Sequence, residues 1–524
     1  MIDAPLADAI RTFVEPGDHL HFASTPSRSN VAIRELARQF RHKRPGFLLS
    51  TSGFHSTAHL LAALRLGRTY LGCFFGDNWP SPRPNPLYTR LARELVDLEH
   101  WSLLTYVEAF RAGALGHGEA PTNSLAGTDL GADLAKRGKF RAEGFVKALR
   151  ADVTFVHAPF ADEQGRVLFS PPYGEGFWSA LGARKGVIAT VERIVSPGFA
   201  AQHPEAIKIP SSKFLAVCVE PFGAHPQPLY VSPAFEGAAR KPLGYADDRE
   251  QYERWRGFAT DEKACEAFAD EVLGAERMRL AYHSFAGPER LQALRDQGRR
   301  SCVKSETPRS RNAERMVRLA AYVIGRRVRT QRHRSILAGI GNAFFAAQLA
   351  KAGVPVMVET GLFDVACRGD CDGFLLSHDH IASARRLSSV EDVLGTLACG
   401  AGNDCLGVIG AAQVDAAGAV NSTQLADGTV LVGSGGANDI ASAAEEVIVV
   451  AAGDRLMKRV DYVTSPGQRV VAIVTDRYVL EREPGERWRM TARIAGADAA
   501  CPWVVDVSSV RTVQESALFE GALQ

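Results

Sequence analysis

The chain has 524 residues, of which 46% are hydrophobic and 23% charged, and its formal net charge is +2. A globular chain of this length is too long for one hydrophobic core, so we expect two to four domains. The near-neutral charge argues against a general affinity for nucleic acid or for a membrane surface. The N-terminus lacks a signal pattern, and no run reaches the ~20 apolar residues of a membrane span. These features predict a cytoplasmic protein with no membrane or nucleic-acid partner.

The cysteines predict free thiols. Nine of them occur at irregular spacing, and an odd number suits reduced thiols better than a disulfide framework. Four lie between Cys367 and Cys405, near His378 and His380. A zinc site is an alternative there, but Cys-x3-Cys and Cys-x5-Cys are not the usual spacings of paired zinc ligands. We therefore expect buried thiols and no metal.

The first part of the sequence predicts a strand, a turn, a helix and a second strand, in that order. Residues 19–23 predict a strand, 24–29 a turn of small and polar residues, and 31–40 a helix whose apolar positions recur at helical spacing. A second strand is expected at 47–52.

The turn of this unit carries a candidate substrate-binding group, Arg28 with Ser29 and Asn30. The planar guanidinium of arginine can meet both oxygens of a carboxylate, so Arg28 is a candidate partner for a substrate carboxylate. The alternative is that Arg28 is solvated or caps the helix that begins near Val31.

The same order of elements recurs in the second half. Residues 336–338 predict a strand, Gly339 and Gly341 a tight turn, and 343–351 a helix. Alternating β-branched residues then predict a strand that ends in Glu359-Thr360-Gly361. Because α/β folds bind ligands at the carboxyl ends of strands, Glu359 is a candidate catalytic residue. A surface ion pair is the alternative.

Further correspondences indicate an internal duplication. Residues 162–170 and 415–423 both predict strand pairs joined at a glycine turn, and 180–195 and 441–455 both predict a helix end running into a strand. The predicted fold class is α/β, with two similar open α/β domains and mainly parallel sheets. Between them, residues 286–312 are rich in arginine and predict an exposed linker.

The segment GSGGANDIAS at 433–442 is a candidate ligand-binding loop. Its small residues leave backbone N–H groups accessible to a phosphate or a thioester oxygen just before a helix. The alternative is a tight turn between a strand and a helix. The candidate binding residues are Gly433, Gly435, Gly436, Ala437 and Asn438.

Several further segments are informative in combination. The first half contains APTNSLAGTDL at 120–130, DEQGRV at 162–167 and AVCVEPFGAHP at 216–226. The second half contains AGIGNAFFAAQLAK with the following strand and E-x-G, GAAQVDAAGAVNST at 410–423, GSGGANDIAS, and VDYVTSPGQRVVAIVTDRYVLE at 460–481. Together these segments resemble the glutaconate CoA-transferase group of the family I CoA-transferases. The resemblance implies a CoA-transferase fold in which an α-type half, 1–285, is fused to a β-type half, 313–524.

The resemblance also implies a reaction. CoA would be the co-substrate, carried as a thioester on Glu359, and would move between an acyl-CoA and a small or medium organic acid by a ping-pong route, without a metal. The loop at 433–438 would hold CoA or shape the pocket, and Ser24, Thr25 and Gly361 would form the oxyanion or acyl pocket. The arginines of 286–312 could touch CoA phosphates, although a solvated linker is the simpler reading. A homo-oligomer is compatible with this assignment.

One departure from the family pattern keeps other functions open. Where relatives place a Gly-Gly-Phe type turn, this chain has Ala23-Ser24-Thr25-Pro26-Ser27-Arg28. Pro26 has no N–H, and the added side chains narrow the approach to the acyl group. The alternative function is an acyl-CoA hydrolase, decarboxylase or carbon–carbon lyase that uses Glu359 as a base. A more distant alternative is a non-catalytic acyl-CoA binding protein.

Overall fold

The computed structural model describes residues 3–23, 26–235, 244–257, 262–273, 287–298, 309–350, 352–366, 373–483, 485–498 and 500–520. Helices and strands alternate along both halves. The helices are Leu6–Phe13, Asn30–Phe40, His59–Ala63, Pro86–Arg93, Leu103–Leu115, Asp129–Lys136, Trp178–Leu181, Pro197–Gln202, Arg249–Gly257, Glu262–Leu273, Pro288–Gly298, Arg311–Gln331, Asn342–Leu349, His378–Ser383, Glu391–Ala398 (a π-helix), Ala437–Ala443 and Glu515–Phe519.

The first half is built on a sheet whose main path is entirely parallel. A short strand, Val167–Leu168, adds to it in antiparallel orientation. In spatial order the main path runs Phe214–Val219, Gly186–Val195, Val153–Asp162, His19–Phe22, Phe47–Ser50, Gly67–Gly72 and Asp97–His100.

The second half is built on an 8-stranded sheet that is parallel in its first five strands and mixed beyond them. In spatial order its strands are Val356–Met357, Ser335–Ala338, Cys405–Gly410, Glu446–Val450, Val470–Val474, Tyr478–Glu481, Arg489–Ile494 and Arg511–Val513.

The two sheets order their strands differently. With the strands numbered along each half, the main path of the first sheet runs 7-6-5-1-2-3-4, and the five parallel strands of the second run 2-1-3-4-5. The two predicted glycine hairpins are also present, with Gly165 and Gly418 both at positive φ. The predicted α/β class with mainly parallel sheets is therefore confirmed. In both sheets the order of strands reverses beside the first strand of the half, and open α/β sheets bind ligands at the carboxyl ends near such a switch.

Helix positions follow from the apolar patterns. In Asn30–Phe40 the apolar residues at 31, 33, 36, 37 and 40 are buried against the first sheet. Arg311–Gln331 is capped at its N-terminus by Ser310, whose Oγ accepts a hydrogen bond of 3.2 Å from the N–H of Ala313. Its apolar stripe packs on the second sheet.

Part of the arginine-rich segment is packed rather than exposed. Pro288–Gly298 is a helix whose Leu291 and Leu294 are buried with Phe222 and Tyr245 of the first half. Arg290 pairs with the buried carboxylate of Asp248, at 2.5 Å. The expectation of an exposed linker is therefore wrong for this stretch, because leucines at helical spacing give it an apolar face. Residues 286 and 299–308 lie outside the described residues, and the domain bounds stay predictions.

No helix of the described residues is long and apolar enough to cross a membrane. Six cysteines lie within the described residues and all of them are free thiols, among them Cys73, Cys218 and Cys405, which are buried. Within the same part of the chain, no group of three His, Cys, Asp or Glu side chains could hold a metal ion. Cys367 and Cys371, from the zinc alternative, lie outside it.

The packing of Pro288–Gly298 leads to a prediction about where the chain tolerates a break. Coexpressed fragments 1–300 and 308–524 should associate and copurify, because the helix stays with the half on which it packs. Fragments cut at 287 should give a less stable first half, since Leu291 and Leu294 leave their buried contacts. Copurification and thermal melting measure both effects. Soluble fragments 1–300 and 308–524 that never associate would contradict the predicted arrangement of two mutually dependent halves.

Candidate active site

Glu359 lies at the tip of a tight turn that follows the edge strand of the second sheet. Val358 and Leu362 exchange backbone hydrogen bonds of 2.9 and 3.2 Å, which close the turn around Glu359, Thr360 and Gly361. Gly361 has a φ of +106°, and a Cβ there would lie 2.5 Å from the carbonyl oxygen of Ser388. Glycine is therefore required for the turn that presents Glu359.

The Glu359 carboxylate rests on the glycine loop, residues 433–436. Its Oε2 accepts a hydrogen bond of 3.1 Å from the N–H of Gly436. A Cβ on Gly436 would lie 2.2 Å from this oxygen, so only glycine permits the approach. A Cβ on Gly435 would lie 3.5 Å from Oε1. The loop thus holds one carboxylate oxygen and lies beside the other.

The glycine loop is held by the first half of the chain. The N–H of Gly435 donates to the carbonyl of Cys73 at 3.0 Å, and its carbonyl accepts from the N–H of Leu103 at 2.9 Å. A Cβ on Gly433 would lie 2.6 Å from the same Cys73 carbonyl. Cys73 and Leu103 follow adjacent parallel strands of the first sheet. The candidate site therefore lies where carboxyl ends of strands from both halves meet.

Asp439 adds a second buried carboxylate next to the loop. Its oxygens accept from the Ser102 hydroxyl at 2.7 Å and from the N–H of Leu104 at 3.0 Å, both in the first half. Burial raises the pKa of Asp439 to about 6, against the opposing effect of these hydrogen bonds. Asp439 is not among the site residues predicted from the sequence. A carboxylate within the segment of small and apolar residues at 433–442 was a usable signal for it.

The environment of Glu359 favours its protonated form. Burial, followed by the negative charge of Asp439, raises the pKa of Glu359 to about 7, while the hydrogen bond from Gly436 acts in the opposite direction. The residue keeps part of its surface accessible. A carboxylate that is poorly solvated and still reachable is a stronger base and nucleophile than one in water.

Ala437 and Asn438, which follow the glycine loop, make hydrogen bonds within the protein. The N–H of Ala437 donates to the carbonyl of Ser434 at 3.0 Å. Asn438 joins the halves, since its side chain accepts from the N–H of Leu125 at 3.0 Å and donates to the carbonyl of Thr464 at 2.7 Å. These contacts favour the second reading of the loop, in which it shapes the pocket around Glu359. A direct contact with CoA stays a prediction.

Arg28 is fully buried, and its guanidinium donates to protein acceptors. It contacts the carbonyls of Gly53 at 2.7 Å and His55 at 3.0 Å, and Oδ1 of Asn30 at 3.0 Å. Burial lowers its pKa to about 10. The alternative of a solvated Arg28 is wrong, because the loop at 53–55 encloses the side chain. Its role toward a substrate carboxylate stays a prediction, which these contacts do not favour.

Ser29 and Asn30, which follow Arg28, also make hydrogen bonds within the protein. The Ser29 hydroxyl lies 2.7 Å from that of Thr190, and the Asn30 amide donates to the carbonyl of Ala224 at 2.6 Å. Ser24 and Thr25, expected in the acyl pocket, lie outside the described residues. Of the predicted site residues, the structure brings together Glu359, Gly361, Gly435 and Gly436.

Comparison with known proteins agrees with this geometry. Residues 4–219 match the family model described as Coenzyme A transferase. The first half of the chain is therefore similar to the coenzyme A transferases. It is 28% identical over 186 residues to one subunit of the 3-oxoadipate CoA-transferase of Pseudomonas knackmussii, across 34% of this chain and 60% of the relative. The resemblance inferred from the motifs is thus confirmed at the level of the family.

Both halves have counterparts among known proteins. The chain is 44% identical over 70 residues to one subunit of the glutaconate CoA-transferase of Acidaminococcus fermentans, across 12% of this chain and 26% of the relative. It superposes on the acyl-CoA transferase YdiF of Escherichia coli O157:H7, in a thioester complex with CoA, with a TM-score of 0.65 and 15% identity. That alignment covers 99% of this chain and 95% of the other, so the two share a fold. The chain spans less than two thirds of the length of both curated relatives, so its activity is argued below as a proposal.

The raised pKa of Glu359 predicts a pH profile. If the ionised carboxylate reacts, kcat/KM should rise with pH through about 7, where Glu359 loses its proton. Replacing Asp439 by Asn removes a negative charge that opposes ionisation, so the acid limb should move to lower pH. Asp427→Asn, at an exposed position, is the control and should leave the limb unchanged. An identical acid limb in wild type and Asp439→Asn would contradict the electrostatic account.

The close approach of Gly436 predicts a steric effect. Gly436→Ala should displace the Glu359 carboxylate by on the order of 1 Å, and a misplacement of that size costs about 10²-fold in turnover. Gly410→Ala is the matched control, because a Cβ at Gly410 meets nothing within 4 Å. Turnover and melting temperature should be compared for both variants. Full activity in Gly436→Ala would remove the glycine loop from the site.

Proposed function

We propose that the protein is a CoA-transferase that moves CoA between an acyl-CoA and an organic acid through a glutamyl-CoA thioester on Glu359. The observation that carries the proposal is the carboxylate of Glu359 at the junction of both halves, with one oxygen on the Gly436 N–H and its pKa raised to about 7. A hydrated carboxylate attacks a thioester poorly, and burial removes this obstacle. The match of residues 4–219 to the coenzyme A transferase family model supports the same class of reaction.

The proposed reaction needs only carboxylate and thiolate chemistry. An oxygen of Glu359 adds to the thioester carbonyl, the carbon–sulfur bond breaks, and CoA thiolate leaves from a mixed anhydride. The thiolate then attacks the Glu359 carboxyl carbon and releases the donor acid as its carboxylate, which leaves glutamyl-CoA. An acceptor carboxylate reverses these steps. CoA leaves and returns as a thiolate, and the donor acid leaves as a carboxylate. The reaction therefore requires no net proton transfer.

The positions of the two Glu359 oxygens suit this role. The Gly436 N–H fixes Oε2, and among the described residues no hydrogen bond is made to Oε1, which leaves it as the attacking atom. The negative charge of Asp439 makes the attacking oxygen more basic, and the absence of side chains at Gly435 and Gly436 leaves room for the thioester. In this proposal the glycine loop orients the nucleophile, and Ser24, Thr25 and Gly361 line the acyl pocket.

Substitution of Glu359 tests the proposal. Glu359→Gln is nearly isosteric, so the fold should persist while transfer falls by at least ~10³-fold, the scale expected when a covalent route is lost. Glu359→Asp should also fail, because one methylene less withdraws the carboxylate. Glu486→Gln, an exposed glutamate of the same half, is the control and should be fully active.

Borohydride distinguishes a covalent role from a basic one. It should reduce the glutamyl thioester and inactivate wild-type enzyme that has been incubated with acyl-CoA, and it should spare enzyme without acyl-CoA. Active enzyme that never becomes sensitive to borohydride would reject the glutamyl-CoA route. The reading in which Glu359 is the base of a hydrolase, decarboxylase or lyase would then replace it.

A further inference from the structure

A buried His–Glu pair lies in the first half, at the same carboxyl edge of the sheet. His21, at the end of the first strand, contacts Glu175 Oε1 through Nε2. Its Nδ1 lies 2.9 Å from the Ser50 hydroxyl and 3.2 Å from that of Tyr106. The side chain of His21 is fully buried, and Glu175 is 6% exposed. The proposed reaction assigns this pair no role.

The hydrogen bonds of the cluster determine how its protons are arranged. His19 Nδ1 lies 3.0 Å from the carbonyl of Arg150 and must donate to it, since a carbonyl only accepts. Burial lowers the pKa of His19 to about 3, so its Nε2 carries no proton and accepts the Ser50 hydroxyl hydrogen at 2.8 Å. Ser50 then has no hydrogen left for His21, whose Nδ1 either donates to the Ser50 oxygen or accepts from the Tyr106 hydroxyl. In either case a hydrogen lies between His21 Nε2 and Glu175 Oε1.

This arrangement leaves Glu175 Oε2 as an acceptor without a donor. Whether the shared proton lies on His21 or on Oε1, Oε2 carries only lone pairs. It is buried and has no hydrogen-bond partner among the described residues. Glu192, which pairs with His157 in the same sheet, is different, since its Oε2 accepts from the N–H of Phe222 at 3.0 Å. A buried carboxylate oxygen without a donor is expensive, and a ligand donor would relieve that cost.

Glu175 lies on a segment that borders the Glu359 turn. The N–H of Tyr173 donates to the carbonyl of Ser388, and the N–H of Val390 donates to the carbonyl of Gly174, both at 2.7 Å. The N–H of Ser388 in turn donates to the carbonyl of Gly361 at 2.8 Å. Burial raises the pKa of the Cys73 thiol, and so do the charges of Asp439, Glu175 and Glu359. Both glutamates thus act on one thiol at the junction of the halves.

We propose that Glu175, held by His21, is a substrate-binding residue whose Oε2 accepts a hydrogen bond from an O–H or N–H group of the bound acyl-CoA. The donor is either a hydroxyl on the acyl chain or a group of the pantetheine arm, because both present such hydrogens. A site built around an acceptor discriminates against an analogue that lacks the donor. The proposal rests on the function proposed above for its ligand and requires no proton transfer.

Binding measurements on inactive enzyme test this role apart from the chemistry. In the Glu359→Gln background, calorimetry gives the Kd of 3-hydroxybutyryl-CoA, butyryl-CoA and free CoA. We expect added Glu175→Gln to weaken the ligand that supplies the donor by about 10-fold or more, the scale of a hydrogen bond to a charged group. Added Glu192→Gln is the matched control and should leave all three Kd values unchanged.

The three ligands identify the donor. If only the binding of 3-hydroxybutyryl-CoA weakens, the donor is the hydroxyl of the acyl chain. If the binding of all three ligands weakens equally, the donor belongs to the pantetheine arm. The calorimetric stoichiometry reports the folded fraction separately from the Kd, and Glu175→Asp, which keeps the charge and withdraws Oε2, should give the same loss. Unchanged Kd values in both Glu175 variants would overturn the proposal. A wild-type enzyme that never forms a covalent adduct would reject the glutamyl-CoA route and leave this result standing.

Discussion

The contact on which the site depends is the one between the glycine loop and the first half. Gly435 exchanges backbone hydrogen bonds with Cys73 and Leu103 across the junction of the halves, and this fixes the N–H of Gly436 against Glu359. The nucleophile and its support belong to one half, yet the support is positioned by the other. Neither half alone would hold the carboxylate in place, which explains why both halves are needed for one site.

The same junction sets the chemistry of the carboxylates. Removing Glu359 and Asp439 from water raises the pKa of each, so the ionised pair is costly to the folded protein. Functional sites commonly retain such costs because the reaction uses them. The same holds for Glu175 Oε2, a buried oxygen that has no hydrogen-bond partner in the part of the chain that the structure describes. The site therefore gathers groups that a purely structural core would have paired or replaced.

Much of the fold could be predicted from the sequence, because periodicity and glycine turns are local signals. They gave two parallel α/β units and placed Glu359 at a strand end. The contacts of Asp439 with Ser102 and Leu104 could not be predicted, since they join residues more than 330 positions apart. The enclosure of Arg28 could not be predicted either, because the carbonyls that surround it, at Gly53 and His55, come from another loop. The arginines of Pro288–Gly298 led to the prediction of an exposed linker, although the two leucines of this helix determine its packing.

The central claim is that the Glu359 carboxylate, held between the halves, forms a covalent bond to CoA. The most direct measurement is peptide mass spectrometry of the wild-type protein after brief incubation with an acyl-CoA and acid quenching. The account predicts a CoA adduct on the peptide that contains Glu359, and loss of that adduct when an acceptor acid is added. A protein that turns over the same acyl-CoA, yet leaves this peptide unmodified at every time point, would contradict it.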